Sequence, residues 1–280
     1  MPKLEAVLVD ARAALIKADV PTPALDVRLL MEHVTGFTHS EIISDPDRPL
    51  TDNQALEFTF LVSRRLAGEP VSRILGEREF YGRSFKTSSH VLDPRPDTET
   101  LIELCLEHLD PEERQTILDL GTGSGILAIT LLAEQPLKRA VAADISAAAL
   151  AMAKKNAAHW SLTRRIGFVE SNWFENIEGT FDLIISNPPY IPASEIPKLE
   201  IEVRDHDPRL ALDGGDDGLH AYRAIAAGSA AHLAPHGVVA VEIGAGQASD
   251  VEAIFKTNAF TLTAQKSDLG GHIRALMFRR

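Results

Sequence analysis

Apolar residues recur at helical spacing from the first turns of the chain. Leu4, Val7, Leu8, Ala11 and Leu15 fall on one face of an amphipathic helix. Thr22-Pro23 then reads as an N-cap and first-turn pair, and Gly36 as the stop of a second helix. A third helix is predicted from Thr51 or Asp52 to Gly68, with Pro70 just beyond it. Residues 1–70 are therefore expected to form a small N-terminal helical bundle domain, in which no catalytic motif is visible.

The period changes after Pro70. Residues 79–85 have the character of a short hairpin turning near Gly82. Pro94-Arg95-Pro96-Asp97-Thr98 makes a stiff bend, from which Asp97 or Thr98 caps a helix running to about Leu109. Residues 71–92 are expected to be a linker carrying the hairpin, and residues 93–280 a second domain.

From Thr116 onward, short β-branched runs alternate with helical stretches. Strands are predicted at 116–120, 140–144, 166–170, 182–186 and 238–243, and a final strand pair at 260–265 and 273–278. Helices are predicted at 124–135, 147–159 and 248–255, and residues 191–218 read as a long polar loop with a helix after it. Alternation of this kind gives an α/β, Rossmann-like fold with a parallel sheet covered on both faces.

Composition narrows the partners. The 280 residues are 45% apolar and 24% charged, enough for a sizeable core. Against 28 Lys and Arg stand 40 Asp and Glu, a formal charge of −12, which argues against a long nucleic-acid backbone as main partner. No stable nucleic-acid partner is expected. Cys105 is the only cysteine, so no intrachain disulfide can form and a reducing compartment is implied. No apolar run approaches the roughly 20 residues that span a bilayer. A cytoplasmic location and no membrane association are expected.

Two stretches carry candidate chemistry. The first is Asp119-Leu120-Gly121-Thr122-Gly123-Ser124-Gly125, which follows a strand and opens a helix. Gly121 and Gly123 allow a tight turn and close approach of a ligand to the backbone. Ile126 stands where the third glycine of the dinucleotide fingerprint would fall, and Asp119 places a carboxylate beside the loop. Both features favour a nucleoside with an uncharged or cationic chain over a pyrophosphate. Asp144 ends the next strand, the position of an acidic residue that binds ribose hydroxyls. Asn172 follows the strand after that and is a candidate for an adenine edge, with Trp173 or Phe174 against the ring face.

The second stretch is Asn187-Pro188-Pro189-Tyr190, at the end of an apolar strand. The prolines have fixed φ and no N–H, so the chain leaves the strand stiffly. Asn187 then offers a side-chain oxygen and Pro188 a bare carbonyl. These suit a planar nitrogen acceptor of a methyl group, whose N–H bonds must be held and whose developing charge must be stabilised. Tyr190 is placed to stack on such a group. Metal and nucleotide-triphosphate motifs are absent from the sequence, and the ten histidines are scattered.

These motifs, with Glu79-Phe80-Tyr81-Gly82, the run from Leu92 to Glu99 and the run from Glu202 to Gly215, resemble the peptide chain release factor glutamine methyltransferases along essentially the whole chain. The resemblance implies a seven-stranded class I methyltransferase sheet with an antiparallel last strand, and S-adenosyl-L-methionine as cofactor. It implies N5-methylation of the glutamine in the Gly-Gly-Gln motif of class 1 release factors, which the helical domain would contact. It assigns Gly121, Thr122, Gly123, Ser124, Gly125, Asp144, Asn172, Trp173 and Asn187 to the cofactor. It assigns Asn187, Pro188, Pro189 and Tyr190 to the reacting amide. Two departures stand out: Asn172 replaces the family's usual aspartate, and Leu92-Asp93-Pro94 replaces Leu-Ile-Pro. The rival enzyme reading is an adenine-N6 methyltransferase acting on RNA or DNA, and the rival from another class is a non-catalytic cofactor-binding or scaffold protein.

Overall fold

Two capping boxes set the phase of the helical region. In the computed structural model, which describes residues 1–280, Thr38 and Glu41 cap one helix reciprocally, and Thr51 and Gln54 another. The helices are α1 (Leu4–Lys17), α2 (Pro23–Thr35), α3 (His39–Ser44), α4 (Asp52–Leu66) and α5 (Val71–Leu75). Gly36 ends α2 in the left-handed conformation, at φ 72°. Thr22 precedes α2 but does not cap it with its side chain, since its hydroxyl donates to Asp26 instead. Leu4, Leu15, Leu30, Met31, Leu50 and Phe58 fill the core between these helices.

This compact unit comprises Met1–Glu77 together with Ile201–His206, a segment from deep in the predicted polar loop that forms α9 (Ile201–His206). Buried Arg65 explains the recruitment. Its guanidinium bonds Asp26 of α2 at 2.6 Å and also Glu202 of α9. Gly68, at φ 89°, makes room for α9, because a Cβ there would lie 2.9 Å from Ile201.

The second unit comprises Arg78–Glu200 and Asp207–Arg280. Ile74 of α5 is buried in the helical core, whereas Phe80 and Phe85 of the hairpin are buried in the core of the sheet unit. The hairpin pairs β1 (Glu77–Phe80) with β2 (Arg83–Lys86) through Tyr81 and Gly82, both at positive φ.

A 3-10 turn (Pro96–Thr98) leads into α6 (Glu99–His108). The chain then runs through β3 (Thr116–Leu120), α7 (Ile126–Glu134), β4 (Arg139–Asp144), α8 (Ala147–His159), β5 (Ile166–Glu170) and β6 (Phe181–Ser186). After α9 come α10 (Arg209–Leu212), α11 (His220–His232), β7 (Leu233–Glu242), α12 (Ala248–Thr257), β8 (Thr261–Ser267) and β9 (Ile273–Arg279).

The seven-stranded sheet has the order β5-β4-β3-β6-β7-β9-β8. Only β9 runs against its neighbours. The inner strands β3 and β6 are buried on both faces, which is why they read as near-continuous apolar runs. Ile117, Leu183, Ile185 and Met277 face one core cluster, while Leu118, Leu120, Ile184 and Phe278 face the other. The winding reverses at β3 and β6, which pair in parallel, so a crevice opens beyond their carboxyl ends. The helices predicted within 124–135, 147–159 and 248–255 are present. The predicted loop 191–218 instead contains α9, α10 and a 3-10 turn, each too short to show a periodic pattern.

Candidate active site

A cavity of about 420 Å³ occupies that crevice in the sheet unit. Its lining includes Gly121, Thr122, Gly123 and Ser124 after β3, Asp144 after β4, Asn172 and Trp173 after β5, and Asn187 and Pro189 after β6. Strand register brings these together: Leu120 lies beside Ala143 on one side and Ser186 on the other. The Ser186 hydroxyl donates to the Leu120 carbonyl at 2.7 Å, tying the starts of the two loops.

The three loop glycines separate by physical role. Gly121 and Gly123 have φ of 70° and 56°, and a Cβ on either would meet no protein atom within 4 Å. They are open toward the cavity. Gly125 is absent from the lining; a Cβ there would lie 2.8 Å from Ile129 and 3.2 Å from Ala153, so it serves the packing of α7 on α8. Asp119 also lies behind the wall. It is fully buried, and its Oδ2 accepts from the Thr122 hydroxyl at 2.6 Å and from Ala128 N–H at 3.2 Å. Burial pushes its pKa up to about 7.

Asp144 is held from both sides. Its Oδ2 accepts from Gly123 N–H and its Oδ1 from Ser146 N–H, both at 2.9 Å. Burial raises its pKa, and these backbone bonds oppose the rise. Each oxygen keeps a lone pair for a further donor, a geometry suited to the vicinal hydroxyls of a ribose.

Asn172 donates its amide to Glu175 at 2.9 Å. Because that carboxylate only accepts, the Asn172 oxygen is left as an acceptor, the role an aspartate would play. Trp173 lines the cavity at φ 50°, whereas Phe174 turns away. Phe174 stacks on His232 with ring centroids 5.0 Å apart and covers Gly228, where a Cβ would sit 2.2 Å from its ring.

Asn187 donates Nδ2 to the Thr98 hydroxyl at 3.1 Å. Pro188 is buried and, like Tyr190, does not contribute to the cavity lining. Tyr190 packs on the core instead, its hydroxyl 3.5 Å from Glu242, and burial drives its pKa upward. Gln247 holds its carbonyl at 3.1 Å. Two glycines close around the same peptide: a Cβ on Gly214 would lie 2.9 Å from Tyr190 Cα, and one on Gly218 would lie 2.4 Å from its carbonyl oxygen.

Sequence reasoning missed Thr98 as a partner of Asn187, and missed Glu242, Gln247 and Asn156. Glu242 had one legible signal, a lone acidic residue in the apolar run Val238–Ile243. Buried Asn156 bonds the Ser124 carbonyl at 2.8 Å and both backbone groups of Lys86, and had none.

Open glycines, a braced carboxylate, an indole and a side-chain amide lining one cavity fit a nucleoside cofactor next to a planar polar group. Comparison with known proteins extends this. Residues 6–76 match the profile described as PrmC N-terminal domain, and residues 95–202 match that described as Methyltransferase small domain. The chain is 45% identical over 281 residues to the release factor glutamine methyltransferase of Agrobacterium fabrum, covering 99% of this chain and 97% of that protein. It is 44% identical to the protein of the same description from Bradyrhizobium diazoefficiens, covering 96% and 92%. A solved methyltransferase from Pyrococcus furiosus, 16% identical, shares the fold with a TM-score of 0.54 over 77% of this chain and 95% of that one. With identity of this level along almost its entire length, the chain belongs to the release factor glutamine methyltransferase family.

Proposed function

We propose that this protein transfers a methyl group from S-adenosyl-L-methionine to the side-chain amide nitrogen of the glutamine in the Gly-Gly-Gln motif of class 1 peptide chain release factors. The observation that carries the reading is the presence of Asn187 in the lining of the same cavity as the glycine loop and Asp144. Likeness to the curated relatives supports glutamine as the acceptor and translation factors, in the cytoplasm, as the partners.

When bound, the cofactor supplies an electrophilic methyl carbon on a sulfonium. Gly121 to Ser124 would accommodate it along the loop, Asp144 would accept from its ribose hydroxyls, and the Asn172 oxygen and Trp173 ring would meet its adenine. Gly125 would act indirectly, through the packing of α7. The Asn187 oxygen, which lines the cavity, would accept an N–H of the glutamine amide and turn its nitrogen toward the methyl carbon, with buried Pro188 holding the exit rigid behind it. That nitrogen would take the methyl group as the methyl–sulfur bond breaks and its electron pair stays on sulfur, leaving a neutral thioether; the methylated nitrogen would then shed one proton to water, so no strong base is required. Pro189 walls the pocket, and Tyr190 anchors the rigid exit through its core contacts rather than through its lining surface.

The test uses S-adenosyl-L-methionine labelled in its methyl group and a purified release factor. Label is expected on the wild-type factor and lost when the Gly-Gly-Gln glutamine is changed to alanine. Unchanged labelling of that variant, or methyl-adenine in place of methyl-glutamine, overturns the assignment.

A further inference from the structure

Strand ends do not line the cavity alone. Val91, Leu92 and Pro94, before α6, and Pro208, Leu210 and Ala211, at α10, contribute an apolar share of the lining. Both segments belong to the sheet unit. They are joined across 112 residues of sequence by an ion pair, in which Arg95 donates to the Asp207 carboxylate at 2.6 Å. The Asp93 N–H donates to the other Asp207 oxygen at 3.3 Å. The Asp207 side chain is only 1% exposed, so solvent screens the pair little.

At its other end α10 is tied to the exit from β6. Ile191, which follows Tyr190, donates its N–H to the Leu212 carbonyl at 3.0 Å, and Gly214 N–H donates to the Ile191 carbonyl at 2.8 Å. A helix of four residues is not stable by its own hydrogen bonds. These two anchors therefore set where Pro208, Leu210 and Ala211 stand. The sheet order β5-β4-β3-β6 separates this end of the cavity from the cofactor residues. Asp144 and Asn172 follow β4 and β5, on one side of β3, whereas α10 is anchored to the chain leaving β6, on the other.

Leu210 lines the cavity and yet is 60% exposed. A single leucine on an ordinary surface needs no explanation. One that borders the cavity containing Asn187 leaves apolar area for an incoming group to cover. The chemistry that matches is an aliphatic stem ending in a planar amide, the stem meeting the apolar lining and the amide meeting Asn187.

We propose that Leu210 is a specificity-determining residue that packs on the methylene stem of the acceptor glutamine and the backbone beside it, and that Arg95 and Asp207 are positioning residues acting through α10. The inference rests on the glutamine-methylating reading above and adds to it a contact that serves the protein substrate and not the cofactor. A contact equally present before and during methyl transfer changes KM and leaves kcat alone.

The experiment measures kcat and KM for the release factor, and S-adenosyl-L-methionine affinity by calorimetry, in L210S, L210M, D207N and the double variant D207N/L210S. L210S is expected to raise the KM for the release factor about 10-fold or more, with kcat and cofactor affinity within about twofold of wild type. L210M, which keeps an apolar side chain of similar volume, is expected to restore most of the loss. D207N is expected to raise the same KM, and the double variant to fall well short of the product of the two single effects, because both act through α10. An unchanged KM in L210S, or a loss of cofactor affinity as large as the rise in KM, overturns the assignment of Leu210. Full multiplicativity in the double variant overturns the positioning role. If D207N does not fold, R95Q replaces it in the same cycle. Absence of glutamine labelling by the wild type would instead overturn the functional reading.

Discussion

Asn156 and Ser124 are joined beneath the glycine loop, the buried Asn156 amide donating to the Ser124 carbonyl at 2.8 Å. The same amide group exchanges two hydrogen bonds with the backbone of Lys86, at 2.8 and 3.0 Å. One side chain thus ties β2, α8 and the loop together. Asn156→Leu leaves three backbone groups without these partners and is expected to cost about 3 kcal/mol. Denaturant unfolding measures this loss. Calorimetry is expected to show weakened S-adenosyl-L-methionine binding, because the loop loses its support.

The loop glycines predict separable phenotypes. Gly123→Ala adds a methyl group facing open space at φ 56°, costing about 1 kcal/mol of backbone strain. Its larger effect is expected on cofactor affinity, a loss of about 10-fold or more, since the methyl group enters the ligand's space. Gly125→Ala collides with Ile129 and Ala153, and is expected to lower stability by about 2 kcal/mol or more through overpacking. Thermal melts and binding titrations on both variants rank the two effects in opposite order.

Arg65 holds Asp26 and Glu202 within the helical unit while itself only 3% exposed. Arg65→Met removes the shared cation and leaves Asp26 as a buried carboxylate without it. About 3–5 kcal/mol of destabilisation is expected. Limited proteolysis is the sharper readout, since cleavage near Ile201–His206 should accelerate when α9 loses its anchor.

Asp119 gives the sheet unit a pH-dependent stability. Burial raises its pKa from 3.8 to about 7 in the folded chain, so folding takes up a proton between these values. The resulting stabilisation is complete below about pH 4 and is lost as pH rises through 7. At about 1.4 kcal/mol per unit, Asp119 accounts for roughly 2–3 kcal/mol between pH 5 and 8. Unfolding free energies of wild type and Asp119→Asn at the two pH values test this. The variant should lose the Asp119 increment and keep that of Glu242, whose pKa is raised in the same sense.

Most of the sheet unit was legible because its signals are local. A buried parallel strand is a short apolar run, and β3, β4, β5 and β6 each appear in sequence as one. The glycine loop and Asp144 were legible because turn geometry and strand ends leave residue-type signatures. Less legible were α3, α5, α9 and α10, of four to six residues each. Over so short a length, periodicity carries little information.

Thr98 shows where local reading fails. A threonine before a helix is expected to cap it, but a hydrogen bond to Asn187, far away in sequence, holds its hydroxyl instead. Tyr190 is a second case. Its motif suggested a ring offered to the substrate, and packing turned its hydroxyl toward Glu242.

By itself, the sequence determined the fold class, the glycine loop, the acidic residue after β4 and the Asn187–Tyr190 exit, since each depends on neighbours within a few positions. Tertiary structure alone decided that α9 joins the helical unit, that Gly125 and Phe174 serve packing, that Thr98 meets Asn187 and that Glu242 meets Tyr190. Those assignments depend on which residues distant in sequence meet, and on which of several possible partners a buried hydroxyl or carboxylate finds when water is excluded.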